Sequence, residues 1–112
     1  MHELAITCGI VDLVAEAAQG RCVRRVTIEI GELSGVVSDA IAFCFNEVAR
    51  DTVAAGATLE IRHVEGRARC AACGEEFATP SLLTACPCGS FDLVRLQGEE
   101  LMLKSMELGE MA

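Results

Sequence analysis

Four cysteines within nineteen residues constrain this chain most strongly, because they separate a metal-binding segment from the rest. They are Cys70, Cys73, Cys86 and Cys88. A Cys-x-x-Cys turn directs two sulfurs towards one point, and a second close pair completes the tetrahedron that Zn(II) accepts from thiolates. Gly74 and Gly89 follow the two pairs, where such a turn requires a positive φ. The pattern predicts a structural Zn(II) site whose four positions are all filled by protein.

The second cysteine pair departs from the usual spacing and leaves alternatives open. Cys86 and Cys88 are separated by Pro87 alone, which has no backbone N–H to donate to a sulfur. Buried thiols or a disulfide are the simplest alternatives. A thiol-exchange role of Cys70 and Cys73 would require a helix after the pair, and the sequence there favours none. Iron in a rubredoxin-like site would use the same four ligands.

Composition limits the class of protein. The 112 residues suffice for about one domain. The formal net charge of -8 argues against a nucleic-acid-binding protein, because such proteins usually present a basic surface. No apolar run reaches the roughly 20 residues that a membrane span needs. The start of the chain lacks the basic region of a signal peptide. An odd count of seven cysteines fits a reducing compartment, so we expect a cytoplasmic protein.

The hydrophobic pattern predicts an α+β fold of two helices on a three-stranded sheet. Residues 3–18 have the apolar spacing of a helix, and 23–32 alternate as a half-buried strand. Ser38 is a candidate N-cap for a second helix that runs to about Thr52. A second strand at 59–63 runs into the first cysteine pair, and strands at 91–96 and 100–108 follow the second. The predicted organisation is one domain of 1–66 plus 97–112, with a zinc-ribbon-like lobe, 67–96, inserted before the last strand.

The N-terminus offers a second, different metal site. The α-amine of Met1, the amide nitrogen of His2 and the His2 imidazole can close a five-membered and a six-membered chelate ring around one ion. Glu3 or another donor would take the fourth position. Square-planar nitrogen ligation suits Ni(II) or Cu(II) better than Zn(II). On the residues alone, an ordinary first helical turn is the stronger interpretation of Met1-His2-Glu3.

The other histidine and cysteines have simpler interpretations. His63 is in register with Leu59 and Ile61, which predicts a partly buried, hydrogen-bonded side chain at a strand end. The cysteines outside the cluster are isolated, and each is predicted to be a small buried or half-buried hydrophobic residue. They are Cys8, Cys22 and Cys44.

Several segments together resemble the HypA/HybF family of nickel metallochaperones in hydrogenase maturation. They are Met1-His2-Glu3-Leu4, Ile30-Gly31-Glu32-Leu33-Ser34-Gly35-Val36, the Cys70 and Cys73 pair, Cys86-Pro87-Cys88-Gly89-Ser90, and the ending Gly98-Glu99-Glu100-Leu101 to Lys104-Ser105-Met106-Glu107. The resemblance covers nearly the whole chain. The one-residue spacer at Pro87 is its departure from the family pattern.

The resemblance implies a function as well as a fold. It implies nickel ligation by His2 and the Met1 amine, with Glu3 in or beside the ligand shell, and zinc ligation by the four cysteines. It implies a protein that is not an enzyme and passes Ni(II) to the large subunit of a nickel-iron hydrogenase with the GTPase HypB. A homodimer is left open. The alternative function is a zinc-ribbon adaptor that binds proteins and delivers no nickel.

Overall fold

The computed structural model describes residues 2–81 and 83–111, with no account of the Met111 side chain. In chain order the elements are α1 (Glu3–Ala18), β1 (Arg21–Gly31), α2 (Ser38–Ala49), β2 (Thr58–Val64), β3 (Arg67–Cys70), β4 (Glu76–Ala78), β5 (Leu93–Gln97) and β6 (Leu101–Met111). They form two compact units. Unit 1 comprises Met1–Ile28, Val36–Arg62 and Met102–Ala112, and unit 2 comprises Glu29–Gly35 and His63–Leu101. The zinc lobe predicted at 67–96 lies within unit 2, which is larger.

Helix α1 forms because one of its faces is apolar at helical spacing. Its buried residues are Thr7, Ile10, Val11, Val14 and Ala18. The hydroxyl of Thr7 is fully buried but donates a 2.7 Å hydrogen bond to the Glu3 carbonyl, so burying it costs little. The helix ends at Ala18, and Gln19 and Gly20 then take positive φ angles of 49° and 85°. This is the left-handed ending that follows many helices.

The core of unit 1 is formed by α1, the buried face of α2, and alternate side chains of β1. Its largest fully buried side chains include Phe45, Ile28, Ile41, Val11, Val14 and Val26. Burying a side chain of this size stabilises the fold by roughly 1.5–3 kcal/mol. The prediction of Ser38 as the N-cap of the second helix was wrong. Val37 occupies that position and Ser38 is the first helical residue, with no side-chain cap of its own.

The predicted α+β architecture is confirmed. The last strand, β6, returns to the sheet of the first two strands, whose order is β2-β1-β6. The four-cysteine segment lies before β6, as predicted. No helix in the described residues is long and apolar enough to cross a membrane.

Unit 2 contains a second sheet that the hydrophobic pattern did not predict. Its order is β4-β3-β5, and β3 pairs antiparallel with both neighbours, so Ala68 lies opposite Phe77 and Cys70 opposite Leu93. The second strand was predicted to run into the cysteines, but β2 ends at Val64 and a new strand begins at Arg67. The strand predicted at 91–96 corresponds to β5, whereas β3 and β4 are too short to show a periodicity in the sequence.

Three backbone segments of unit 2 pass close to one another at Gly31, Gly66 and Gly98. We call this the glycine crossing. A Cβ on Gly31 would lie 2.0 Å from the Gly98 carbonyl oxygen, and one on Gly98 would lie 2.6 Å from the Gly66 Cα. A Cβ on Gly66 would lie 2.2 Å from the carbonyl oxygen of Thr79. Real Cβ contacts are not this short, so the backbones can approach only because no side chain intervenes.

Hydrogen bonds fix the glycine crossing in place. The Glu32 carboxylate accepts a 2.9 Å bond from the Gly66 N–H, and the Leu33 N–H donates to the Gly98 carbonyl at 2.6 Å. The Gly98 N–H donates to the Glu100 carboxylate at 2.7 Å. The segment Gly31–Leu33 is therefore joined to both ends of the inserted chain.

We expect Gly66→Ala to destabilise the protein by about 2 kcal/mol or more, because its Cβ would displace the backbone at Thr79. Gly9→Ala is the matched control. Gly9 lies within α1 with open space around its would-be Cβ, so alanine there should stabilise by about 0.5–1 kcal/mol. Urea unfolding followed by far-ultraviolet circular dichroism, at fixed zinc content, measures both. Equal stability of the two variants would contradict the packing argument.

Candidate metal centres

The four cysteines converge on one point in unit 2. Two of the distances between sulfurs of different pairs are 3.7 Å, for Cys70 and Cys88, and 3.5 Å, for Cys73 and Cys86. All four ligand atoms lie within 4.8 Å of one another. Sulfurs bound to one zinc at about 2.3 Å in a tetrahedron are about 3.8 Å apart. The donor set therefore fits Zn(II), with four thiolates and no position left for a substrate.

The one-residue spacer at Pro87 does not prevent the second turn from closing. In the first turn the Gly74 N–H donates to the Cys70 carbonyl at 2.8 Å, four residues back. In the second turn the Gly89 N–H donates to the Cys86 carbonyl, also at 2.8 Å but three residues back. Both glycines have positive φ angles, 80° and 94°, as predicted. Two turns of different length thus present their sulfurs to one site.

The sulfurs have unequal electrostatic surroundings. The backbone N–H of Cys73 is the main cause that lowers the pKa of Cys70, to about 6, and the Ala72 N–H adds to it. The Cys88 N–H, 3.5 Å from the Cys86 sulfur, acts in the same direction on Cys86. There, however, burial and the neighbouring thiols prevail and raise the pKa to about 12.

The pKa of Cys73 is raised as well. The Glu75 N–H is the largest single influence on it and lowers it, but burial and the sulfurs of Cys70 and Cys88 outweigh that influence. Four sulfurs this close cannot all ionise without a cation. Without a metal, these pKa shifts favour the thiolate at Cys70 and the protonated thiol at Cys73 and Cys86.

The N-terminal donors lie at the start of α1. His2 is exposed at the N-cap position, and its side chain makes no capping hydrogen bond. Its carbonyl accepts a 3.1 Å bond from the Ile6 N–H. The predicted amine of Met1 lies outside the described residues. The imidazole of His2 is thus left accessible to a ligand from solvent.

Glu3 is held by a contact that sequence reasoning missed. Its Oε2 accepts a hydrogen bond from the Val37 N–H at 3.1 Å. This bond is the main cause that lowers the pKa of Glu3. No sequence signal could have revealed it, because the donor is a backbone amide 34 residues away.

The structure does not place His2 and Glu3 in a larger cluster of side-chain ligands. Among residues 2–81 and 83–111, the four cysteines are the one group of three or more His, Cys, Asp or Glu side chains close enough to share an ion. Beyond Glu3, further donors to a metal at His2 would have to come from the main chain, from Met1 or from water.

Two predictions about the remaining residues need correction. His63 is exposed on β2, where its side chain projects into solvent, although a partly buried side chain was predicted. Cys8 and Cys22 are exposed as well, and of the three isolated cysteines Cys44 alone is half-buried. Their hydropathy suggested burial, but they lie away from the buried faces of α1 and β1.

Comparison with known proteins identifies the family. A family model described as hydrogenase/urease nickel incorporation, metallochaperone, HypA, matches residues 1–108. The chain belongs to the HypA family. Its members are maturation factors and metallochaperones, and the four-cysteine cluster of this chain is consistent with a metal-binding family.

Relatives and solved structures agree over nearly the whole length. The chain is 49% identical to the hydrogenase maturation factor HypA of Rippkaea orientalis, over 98% of this chain and 97% of the relative. It is 47% identical to the factor of that name from Geobacter metallireducens, over 96% and 99%. The solution structure of the nickel metallochaperone HypA from Helicobacter pylori superposes with a TM-score of 0.69 at 25% identity, over 96% and 97%.

Zinc binding to the cysteines should weaken steeply as pH falls. Zn(II) binds thiolates, so Cys73 and Cys86, protonated at pH 7 by their raised pKa values, must each release a proton. The apparent affinity should therefore fall at least about a hundredfold per pH unit. Because Cys70 also takes up a proton below about pH 6, the dependence should steepen there.

Competition with a chromophoric zinc chelator between pH 5.5 and 7.5 measures this slope. Cys8→Ser is the matched control, since it removes an exposed thiol outside the cluster and should leave the slope unchanged. An affinity independent of pH would contradict ligation by these sulfurs.

Proposed function

We propose that this chain is a nickel metallochaperone that binds Ni(II) at its N-terminus and delivers it for maturation of a nickel-iron hydrogenase. The observation that carries the proposal is the state of His2. It is exposed at the N-cap position of α1, and its imidazole is not used to cap the helix. Membership of a nickel-incorporation family supports the same assignment.

The start of a helix is suited to main-chain ligation. The first N–H groups of an α-helix have no carbonyl partner within the helix. We propose that the Met1 amine, the His2 amide nitrogen and the His2 imidazole hold the ion, with Glu3 in or beside the ligand shell. Nitrogen donors in this arrangement favour Ni(II) over Zn(II), and exposure to solvent favours exchange with an acceptor.

The two sites then have different tasks. The four cysteines would hold a structural Zn(II) that bonds the two turns and β3 together, and the closed ligand set leaves no position for chemistry. The N-terminal site would hold nickel as cargo. We propose the large subunit of a nickel-iron hydrogenase as the acceptor, the GTPase HypB as the assisting partner, and the cytoplasm as the compartment. A homodimer is compatible with this role.

His2→Ala should abolish high-affinity nickel binding and leave zinc in place, because the imidazole closes the six-membered chelate ring. His63→Ala is the matched control, since it removes the other histidine of the chain, which is exposed on β2. Native mass spectrometry and calorimetry on protein with an unmodified N-terminus count both metals. Nickel binding by His2→Ala equal to wild type would overturn the proposal and favour the adaptor function.

An N-terminal extension of two residues tests the amine separately. It keeps His2 but converts the Met1 amine into an amide, which removes one nitrogen donor. We expect nickel affinity to fall by at least about tenfold, because losing a ligand should cost at least as much as losing an outer-shell partner. Unchanged affinity would show that the imidazole acts without the amine. The zinc content of the extended protein serves as the folding control.

A further inference from the structure

We propose that Glu3 is a positioning residue, whose carboxylate caps α2 at Val37 and so holds His2 in place for nickel without bonding to the metal. The inference rests on the proposed function and adds a role for a residue next to the imidazole. It is carried by the hydrogen bond between Glu3 Oε2 and the Val37 N–H, at 3.1 Å.

Helix α2 lacks a cap from its own sequence. Val37, its N-cap residue, has an apolar side chain that cannot accept a hydrogen bond, and none is made there. The Val37 carbonyl accepts bonds from Ala40 and Ile41 at 3.1 and 3.2 Å, so the residue is fixed to the first turn. A carboxylate at this end is favoured by the helix dipole as well as by the N–H. Glu3 supplies that carboxylate from α1.

The rest of Glu3 is also restrained. Its main-chain carbonyl accepts the 2.7 Å bond from the Thr7 hydroxyl, which is fully buried. Both the backbone and the side chain of Glu3 are therefore tied to other residues of unit 1. Because His2 is joined to Glu3 by one peptide bond, these restraints limit the positions that His2 can take. Preorganised ligands bind more tightly, since less conformational entropy is lost on binding.

Glu3 could act as a brace, which positions His2 through the bond to Val37 without touching the metal, or as a direct ligand. The two roles predict opposite results for Glu3→Gln. Glutamine keeps a side-chain oxygen that can accept from the Val37 N–H, but it loses the charge that makes a carboxylate a good metal donor. Glu3→Ala loses both. If Glu3 acts as a brace, we expect the nickel dissociation constant to rise about tenfold in Glu3→Ala and less than about threefold in Glu3→Gln.

Calorimetric nickel titration of the zinc-loaded protein, with an unmodified N-terminus, measures these constants. The visible ligand-field spectrum of bound nickel should be the same in wild type and both variants, because a brace contributes no donor atom. Exchange of the Val37 amide with deuterium, followed before nickel is added, should accelerate in Glu3→Ala and recover in Glu3→Gln. Asp51→Asn, at an exposed carboxylate beyond the C-terminal end of α2, controls for loss of charge.

Val37→Pro removes the donor from the other side of the contact. The Val37 φ of -86° is near the range of proline, and no helical bond is lost at an N-cap position. In this background Glu3→Ala should cause no further loss of nickel affinity. This comparison keeps the test decisive if Glu3→Ala alone is poorly folded, which far-ultraviolet circular dichroism would show.

Four outcomes are distinguishable. Recovery in Glu3→Gln with an unchanged nickel spectrum supports the brace. Equal weakening in Glu3→Gln and Glu3→Ala, or an altered spectrum, overturns it in favour of a carboxylate ligand. Wild-type affinity in Glu3→Ala also overturns it. His2→Ala is titrated in parallel, and full nickel binding by that variant would overturn the proposed nickel site itself.

Discussion

The close approach of three backbones at Gly31, Gly66 and Gly98 is the constraint on which unit 2 depends. The chain enters the inserted segment through Gly66 and leaves it through Gly98. A Cβ on either glycine would clash with neighbouring backbone atoms. The Leu33 side chain packs against this crossing, within 3.2 Å of the would-be Cβ atoms of Gly66 and Gly98. Short strands with few buried side chains can fold there because both ends of the insertion are tied to one segment.

A metal bound by the cysteines would supply stability that the small hydrophobic core of unit 2 cannot. Besides Leu33 at the crossing, the buried side chains of its described residues are Ile30, Ala68, Cys70, Thr79 and Cys86, of which two are members of the cysteine cluster. So little apolar surface gives weak stabilisation, and a structural metal commonly supplies the remainder in lobes of this size. The cysteines therefore replace a hydrophobic core. The shorter second turn is tolerated because it closes three residues back instead of four.

The four-cysteine cluster and the proposed N-terminal site differ in the number of side-chain ligands that the fold brings together. The cysteine site gathers four side chains from two turns of unit 2, which favours retention of one ion. The start of α1 offers one unengaged side chain, that of His2, with Glu3 already bonded to Val37. The proposed N-terminal site would draw its other donors from the main chain and solvent, so it could release its ion without unfolding the protein.

The sequence by itself determined the features that neighbours along the chain create. The helical period of α1, the alternation of β1 and the paired cysteines with their glycines all place interacting groups within a few residues, so spacing predicts them. Nickel ligation at the N-terminus was predicted by the family resemblance, since spacing alone favoured an ordinary first helical turn.

Only the tertiary structure decided contacts between distant residues. The bond from Val37 to Glu3 and the bond from Gly66 to the Glu32 carboxylate each span 34 residues, and backbone amides carry no mark in the sequence. The exposure of His63 and Cys8 was likewise set by which faces other elements cover. Periodicity reports that a face is apolar, but the partner that buries it, or leaves it open, is chosen by packing.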